Sequence, residues 1–262
     1  MQLSLAMFDT GAGTHVGKVR QHNEDRFLAR PGAGLWAVAD GMGGHEAGEF
    51  ASQTIVEALS AIEAPASAAE LLTRCEEQIV EANARLRDAS RERGGAILGA
   101  TIAVLLAFEG YYACVWSGDS RIYVVRGGAI KQLSRDHTEV QQLLADGVIT
   151  PDEAKTWPNS NVVTRAIGVF DAPELELSSG ALESGDSFII CSDGLTQHIK
   201  DEEILDWVES GGSQQACDAL IALTLERGAA DNVTVVVVRY QPNPGNADGT
   251  EAKSPDLWEW RG

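Results

Sequence analysis

No stretch of this 262-residue chain stays apolar long enough to cross a bilayer. The longest runs, Ile102–Phe108 and Val235–Val238, fall far short of the roughly 20 residues a spanning helix needs. The opening Met1-Gln2-Leu3-Ser4-Leu5-Ala6-Met7 has no basic lead, so a signal peptide is not expected. Positive charge is scarce too: 20 Lys and Arg stand against 39 Asp and Glu, a net charge of −19. Such a chain repels nucleic acid and anionic membrane at long range, and a phosphate-handling site on it needs a cation. Cys75, Cys114, Cys191 and Cys217 form no C-x-x-C pair, and Cys114 and Cys191 sit inside apolar runs; buried free thiols in a reducing compartment are expected. Also missing are a Gly-x-Ser-x-Gly elbow, a Walker loop, a Gly-x-Gly-x-x-Gly after a strand, and the cysteine–arginine loop of a cysteine phosphatase. A nucleophilic side chain therefore has no visible carrier. The expectation is a soluble, cytoplasmic, monomeric protein that binds neither nucleic acid nor membrane.

Hydrophobic residues at 44% and charged residues at 23% are ordinary globular values, which exclude a wholly disordered chain or a rod. Apolar residues recur at three and four through Glu46–Ile62 and again through Ala68–Ala89, which predicts two helices, the first stopped by Pro65. The pattern then changes. Thr101–Phe108, Tyr111–Trp116, Arg121–Val125 and Ala129–Leu133 are four strand-like runs with tight turns at Glu109-Gly110, Gly118-Asp119 and Gly127-Gly128, so each is expected to pair antiparallel with the next. Ser187–Cys191 and Val233–Arg239 read as later strands, with helices at Asp201–Ser210 and Gln214–Arg227 between them. Glu139 to Gly168 is mixed and reads as a partly helical surface excursion. From residue 241 the chain is rich in Pro, Gly, Asn and Asp and reads as a mobile tail; Leu257, Trp258 and Trp260 within it read as exposed, or as a docking peptide. Together these elements predict α+β layering, with helices outside and sheets in the middle.

The informative feature is where the aspartates fall. Leu35–Ala39 runs into Asp40-Gly41, Ala113–Trp116 into Gly118-Asp119, and Phe188–Ser192 into Asp193-Gly194, while Asp231-Asn232 opens onto Val233–Val238. One Asp-Gly is an ordinary turn. Four carboxylates converging at strand ends would repel one another strongly unless a cation neutralised them. The donors are all oxygen, which suits Mg²⁺ or Mn²⁺ and suits zinc or copper poorly. A pair of such cations about 3.5–4 Å apart can activate a shared water for in-line attack on phosphorus. Arg20, just before Glu24 and Asp25, offers the planar fork that phosphoryl oxygens need; taken alone it reads as a solvated surface residue.

Arg20-x-x-Asn23-Glu24-Asp25, Asp40-Gly41-Met42-Gly43-Gly44, Gly118-Asp119-Ser120-Arg121, Ser192-Asp193-Gly194 and Asp231-Asn232 stand in the order and spacing of the metal-dependent protein phosphatases of the PP2C (PPM) family, which this chain resembles over about residues 10–240. It looks most like the short bacterial members that act with Hanks-type Ser/Thr kinases, one group of which partners type VI secretion. The resemblance implies an α-β-β-α sandwich of two antiparallel sheets flanked by helices, spanning residues 1–240, with a flap at 139–168 and a flexible tail at 241–262. It implies a phosphoserine and phosphothreonine phosphatase using Mn²⁺ or Mg²⁺ at two tight sites and a weaker third. Asp40 would bridge the two metals. Asp193 and Asp231 would complete one, and the Gly41 carbonyl with Glu24 the other. Asp25, also part of the metal centre, would orient the attacking water; Asp119 with Asp193 would recruit the third metal, and Arg20 would bind the substrate phosphate.

One position departs from animal relatives, which carry a His after the Asp-Gly pair where this chain has Met42. The proton donor is then His45, which also fits a helix start, or a water on the third metal. His15, His22, His137 and His198 have no partners at metal spacing and read as surface residues. Two other readings stand beside an active enzyme: a catalytically silent binding module of the same fold, and a phosphatase acting on an anti-sigma antagonist.

Overall fold

The computed structural model describes residues 8–44, 46–158 and 162–242; His45, Asn159-Ser160-Asn161 and the tail residues Leu257, Trp258 and Trp260 lie outside the described residues. Among the described residues ten strands form two five-stranded sheets, and every pairing is antiparallel. The first sheet has the order β1-β10-β9-β6-β7 and the second β2-β3-β4-β5-β8. The strands are β1 (Phe8–His15), β2 (Asp25–Arg30), β3 (Leu35–Met42), β4 (Gly99–Phe108), β5 (Tyr111–Ser117), β6 (Arg121–Arg126), β7 (Ala129–Gln132), β8 (Glu176–Ala181), β9 (Ser187–Cys191) and β10 (Val233–Tyr240). The helices are α1 (Glu46–Ser60), α2 (Ala68–Glu92), α3 (Glu139–Ala145), α4 (Pro151–Ala154), α5 (Asp193–Thr196), α6 (Asp201–Ser210) and α7 (Ser213–Glu226).

Three apolar layers hold this stack together, and the period-two alternation of the strands assigns residues to them. Leu35, Ala37 and Ala39 of β3 face α1 and α2, packing on Ile55, Leu59, Leu71 and Ile79. Trp36 and Val38 of the same strand face the other sheet and meet Leu105, Phe188, Ile190 and Val236. On the far side Ile189, Val235 and Val237 pack on Ile204, Val208 and Leu220 of α6 and α7. Both faces of each sheet are covered, which is why the central strands read as unbroken apolar runs. Each fully buried large side chain, such as Trp36 or Phe188, contributes about 1.5–3 kcal/mol. Ser67 caps α2 by accepting from the Glu70 amide at 3.1 Å. All four cysteines are buried and free, as expected. Among the described residues no helix is long and apolar enough to cross a membrane.

The antiparallel expectation needs one correction. β4 pairs with β5 and β6 with β7, but β5 and β6 do not pair; they belong to different sheets. The three residues Gly118-Asp119-Ser120, bent at Gly118 and Asp119, carry the chain across the sandwich from one sheet to the other. Gly118 is required there. Its φ is +116°, and a Cβ would meet the Thr101 Cβ at 2.4 Å. Asp119 is thus delivered into the gap between the sheets.

Candidate active site

The site forms where one end of each sheet meets the other. Across the β2–β3 pair Asp25 stands opposite Asp40, and across β3–β4 Asp40 stands opposite Thr101. Asp40 lies inside β3 and not beyond its end. From the other sheet, Asp193 begins α5 with only Ser192 between it and β9, and only Asn232 stands between Asp231 and β10.

Asp25 ties the sheets together. It is fully buried, and its Oδ2 accepts from Ser192 Oγ at 2.8 Å and from Thr234 Oγ1 at 2.7 Å. Thr234 Oγ1 in turn accepts from Thr14 Oγ1 at 2.7 Å, and Thr14 accepts from Asn23 Nδ2 at 2.9 Å. Asp25 Oδ1 is buried with no hydrogen-bond partner among the described residues. Glu24 is fixed through its backbone: its amide donates to Asn232 Oδ1 at 2.8 Å, and its carbonyl accepts from the Gly41 amide at 3.2 Å. Gly41 and Gly48 let α1 close onto this loop. A Cβ on Gly41 would meet the Gly48 carbonyl at 2.1 Å, and one on Gly48 would meet Glu24 Oε1 at 2.5 Å. Arg20, its side chain half exposed, reaches Asp231 Oδ2 at 2.7 Å. Gln197 Nε2 donates to Asp193 Oδ2 at 2.6 Å.

Crowding and burial act on these acids together. Burial, reinforced by Asp193 and Asp231, pushes Asp25 up to about 7. Burial and then Asp193 push Asp119 up to about 7 as well. Asp40 is raised well above the carboxylate range by burial and by Asp25, Asp193, Asp119 and Asp231, and Asp193 is raised by burial and Asp231. Among the described residues no three acidic, His or Cys side chains close a ready-made cation cage. Their oxygens are instead held by Ser192, Thr234, Gln197 and Arg20. The donor set nevertheless fits a hard divalent cation: it is all oxygen, it contains the buried unpartnered Asp25 Oδ1, and burial with crowding raises its proton affinity, which a cation would offset. Asp119 and Asp193 also line a cavity of about 270 Å³ that reaches Thr138 and Gln141 at the start of α3. A larger cavity, about 430 Å³ beside the β6–β7 turn and Glu209, holds none of these acids, so chemistry and not size marks the site.

All the acidic residues singled out in the sequence therefore gather here, with Arg20 on their rim. Sequence reasoning missed Thr234, Thr101 and Gln197, and gave Ser192 and Asn232 no role; each lies close in sequence or register to a recognised aspartate, the one signal available. His15 and His22 are exposed and His198 half-buried, whereas His137 is 5% exposed, contrary to its surface reading.

The profile of the family described as protein phosphatase 2C matches residues 12–217. The serine/threonine protein phosphatase PstP of Mycobacterium tuberculosis is 36% identical over 222 residues, which cover 84% of this chain but only 43% of that protein. The crystal structure of the PstP catalytic domain in complex with two manganese ions superposes with a TM-score of 0.81 at 34% identity, covering 90% of this chain and 99% of that one. PppA of Pseudomonas aeruginosa, described as a key regulatory component of T6SS, superposes with a TM-score of 0.83 at 40% identity, covering 89% of this chain and 98% of its own.

Proposed function

The chain belongs to the protein phosphatase 2C family, and from that premise we propose that it hydrolyses phosphoserine and phosphothreonine in proteins with Mn²⁺ or Mg²⁺ as cofactor, at two tight sites and a weaker third. The observation that carries this reading is the gathering of Asp25, Asp40, Asp119 and Asp193, two of them buried and all four with raised proton affinities, beside an arginine held by Asp231. Asp40, Asp193 and Asp231 would hold one cation, Glu24 and the Gly41 carbonyl with Asp40 the other, and Asp119 with Asp193 the third. Such cations supply neutralisation of the phosphate charge and activation of water.

The chain's own residues do the rest. A phosphate dianion offers Arg20 two acceptors where Asp231 offers one contact, so substrate binding draws the guanidinium outward and frees Asp231 as a ligand. Asp25 is fixed by Ser192 and Thr234 through one oxygen, which leaves the other to accept from a water and orient it. A silent binding module is disfavoured because no carboxylate of the set is missing. We infer a soluble cytoplasmic monomer that acts on proteins phosphorylated by a bacterial Hanks-type kinase. The 40% identity to PppA supports a place in the control of T6SS.

The test is hydrolysis of matched phosphoserine, phosphothreonine and phosphotyrosine peptides with EDTA, Mg²⁺ or Mn²⁺. Turnover of the first two only with a divalent ion is expected. Absence of turnover with both ions would leave the binding-module reading standing.

A further inference from the structure

His137 stands at the neck of the segment that carries α3 and α4. Its carbonyl accepts from the Thr164 amide at 2.8 Å, and Thr138 bridges Val163, so the segment leaves and returns beside this residue. The neck is joined to the link that carries Asp119. The His137 amide donates to the Gly118 carbonyl at 2.9 Å, and the Gly118 amide donates to His137 Nδ1 at 3.1 Å. An accepting Nδ1 places the ring proton on Nε2, which lies 3.2 Å from Glu176 Oε1. Glu176 Oε1 also takes Arg135 and Arg165 at 3.0 Å each, and Trp116 stacks on the ring at 21°. Gly118 cannot be fixed by a side chain of its own, and its +116° φ is only one of the many backbone states open to glycine, so an external clamp on its amide matters more than at an ordinary turn.

We propose that His137 is a positioning residue: through Nδ1 it clamps the Gly118 amide and so sets the Asp119 carboxylate in the site. This rests on the reading of Asp119 as an active-site residue. Supporting groups round a catalytic centre typically affect activity by roughly 10- to 100-fold although they touch no substrate.

The two carboxamide replacements separate the ring's two nitrogens. Asn can place its oxygen near Nδ1 and keep the Gly118 bond, whereas Gln reaches toward Nε2 and cannot. His137→Asn should keep kcat on a phosphothreonine peptide within about threefold of wild type and keep the Gly118 amide protected from hydrogen exchange. His137→Gln should lower kcat roughly 10- to 100-fold with KM nearly unchanged, and speed Gly118 exchange roughly tenfold. Should His137→Gln fail to fold, Glu176→Ala decides, because loss of the Nε2 acceptor lets Arg165, 3.3 Å away, donate to Nε2 and drive the proton onto Nδ1; the same direction of change is expected. Wild-type kcat and Gly118 exchange in His137→Gln, or in Glu176→Ala where His137→Gln does not fold, or equal losses in the Asn and Gln variants, would overturn the proposal. Inactive wild-type enzyme would instead refute the phosphatase reading, while Gly118 exchange still judges the clamp.

Discussion

Metal-free protein should become less stable as pH rises from about 5 to about 7.5, the reverse of a protein whose carboxylates are stabilised by ion pairs. Asp25 and Asp119 are each pushed from 3.8 up to about 7, and Asp40 and Asp193 are also raised. Between those limits the folded state holds more protons than the unfolded one. The stability these groups carry is complete below about 4 and is lost as pH climbs through about 7. For one such carboxyl the loss between pH 5 and 7.5 is on the order of 3 kcal/mol. Asp25 and Asp119 share Asp193 as a neighbour, so one group's worth is the expectation and not two. For a domain of this size that is about 6–12 °C in Tm. His137 runs the other way, since burial lowers its pKa and its contribution is lost as pH falls below about 6.5. Scanning calorimetry in EDTA across this range reads the net effect, and millimolar Mn²⁺ should flatten the dependence by stabilising the ionised form. A metal-free Tm that stays level or rises toward pH 7.5 would refute the claim that burial and crowding raise the proton affinity of these carboxyls.

Asp40→Asn should raise the Tm of the metal-free protein by removing the cost of an acid held in a desolvated, crowded place while lowering kcat by several orders of magnitude, a pairing that calorimetry and phosphopeptide kinetics read together. Arg20→Ala should lower kcat/KM roughly 10- to 150-fold and weaken inhibition by inorganic phosphate, with Arg20→Lys recovering only part. Mn²⁺ affinity in Arg20→Ala should be unchanged or higher, because Asp231 loses its competitor. Thr234→Val keeps the side-chain shape but removes the donor to Asp25 and the link to Thr14; kcat should fall roughly 10- to 100-fold with little change in KM.

Much of the site was legible in the sequence because strand ends punctuated by aspartate leave a mark that needs no long-range information. The elements that escaped notice failed for identifiable reasons. β1 contains Gly11 and Gly13, which suggest a turn; in the fold Gly11 is there so that α7 can approach, since a Cβ would meet the Ser213 backbone at 2.3 Å. β8, Glu-Leu-Ser-Ser-Gly-Ala, is an edge strand with no apolar face to announce it. The β5–β6 crossing looked like a hairpin because a three-residue link can serve either purpose, and only the pairing of β6 with β9 decides between them. His137 was unreadable because its partners Gly118 and Glu176 lie 19 and 39 residues away in the chain.

Calorimetric titration of Mn²⁺ into metal-free protein at about pH 6, repeated in buffers of different ionisation enthalpy so that proton release is counted, tests whether the clustered acids hold cations. Acids held near pH 7 are still protonated there and must lose their protons to a cation. Two tight sites are expected, their filling releasing at least about one proton. Binding without proton release, or no tight binding at all, would contradict that reading.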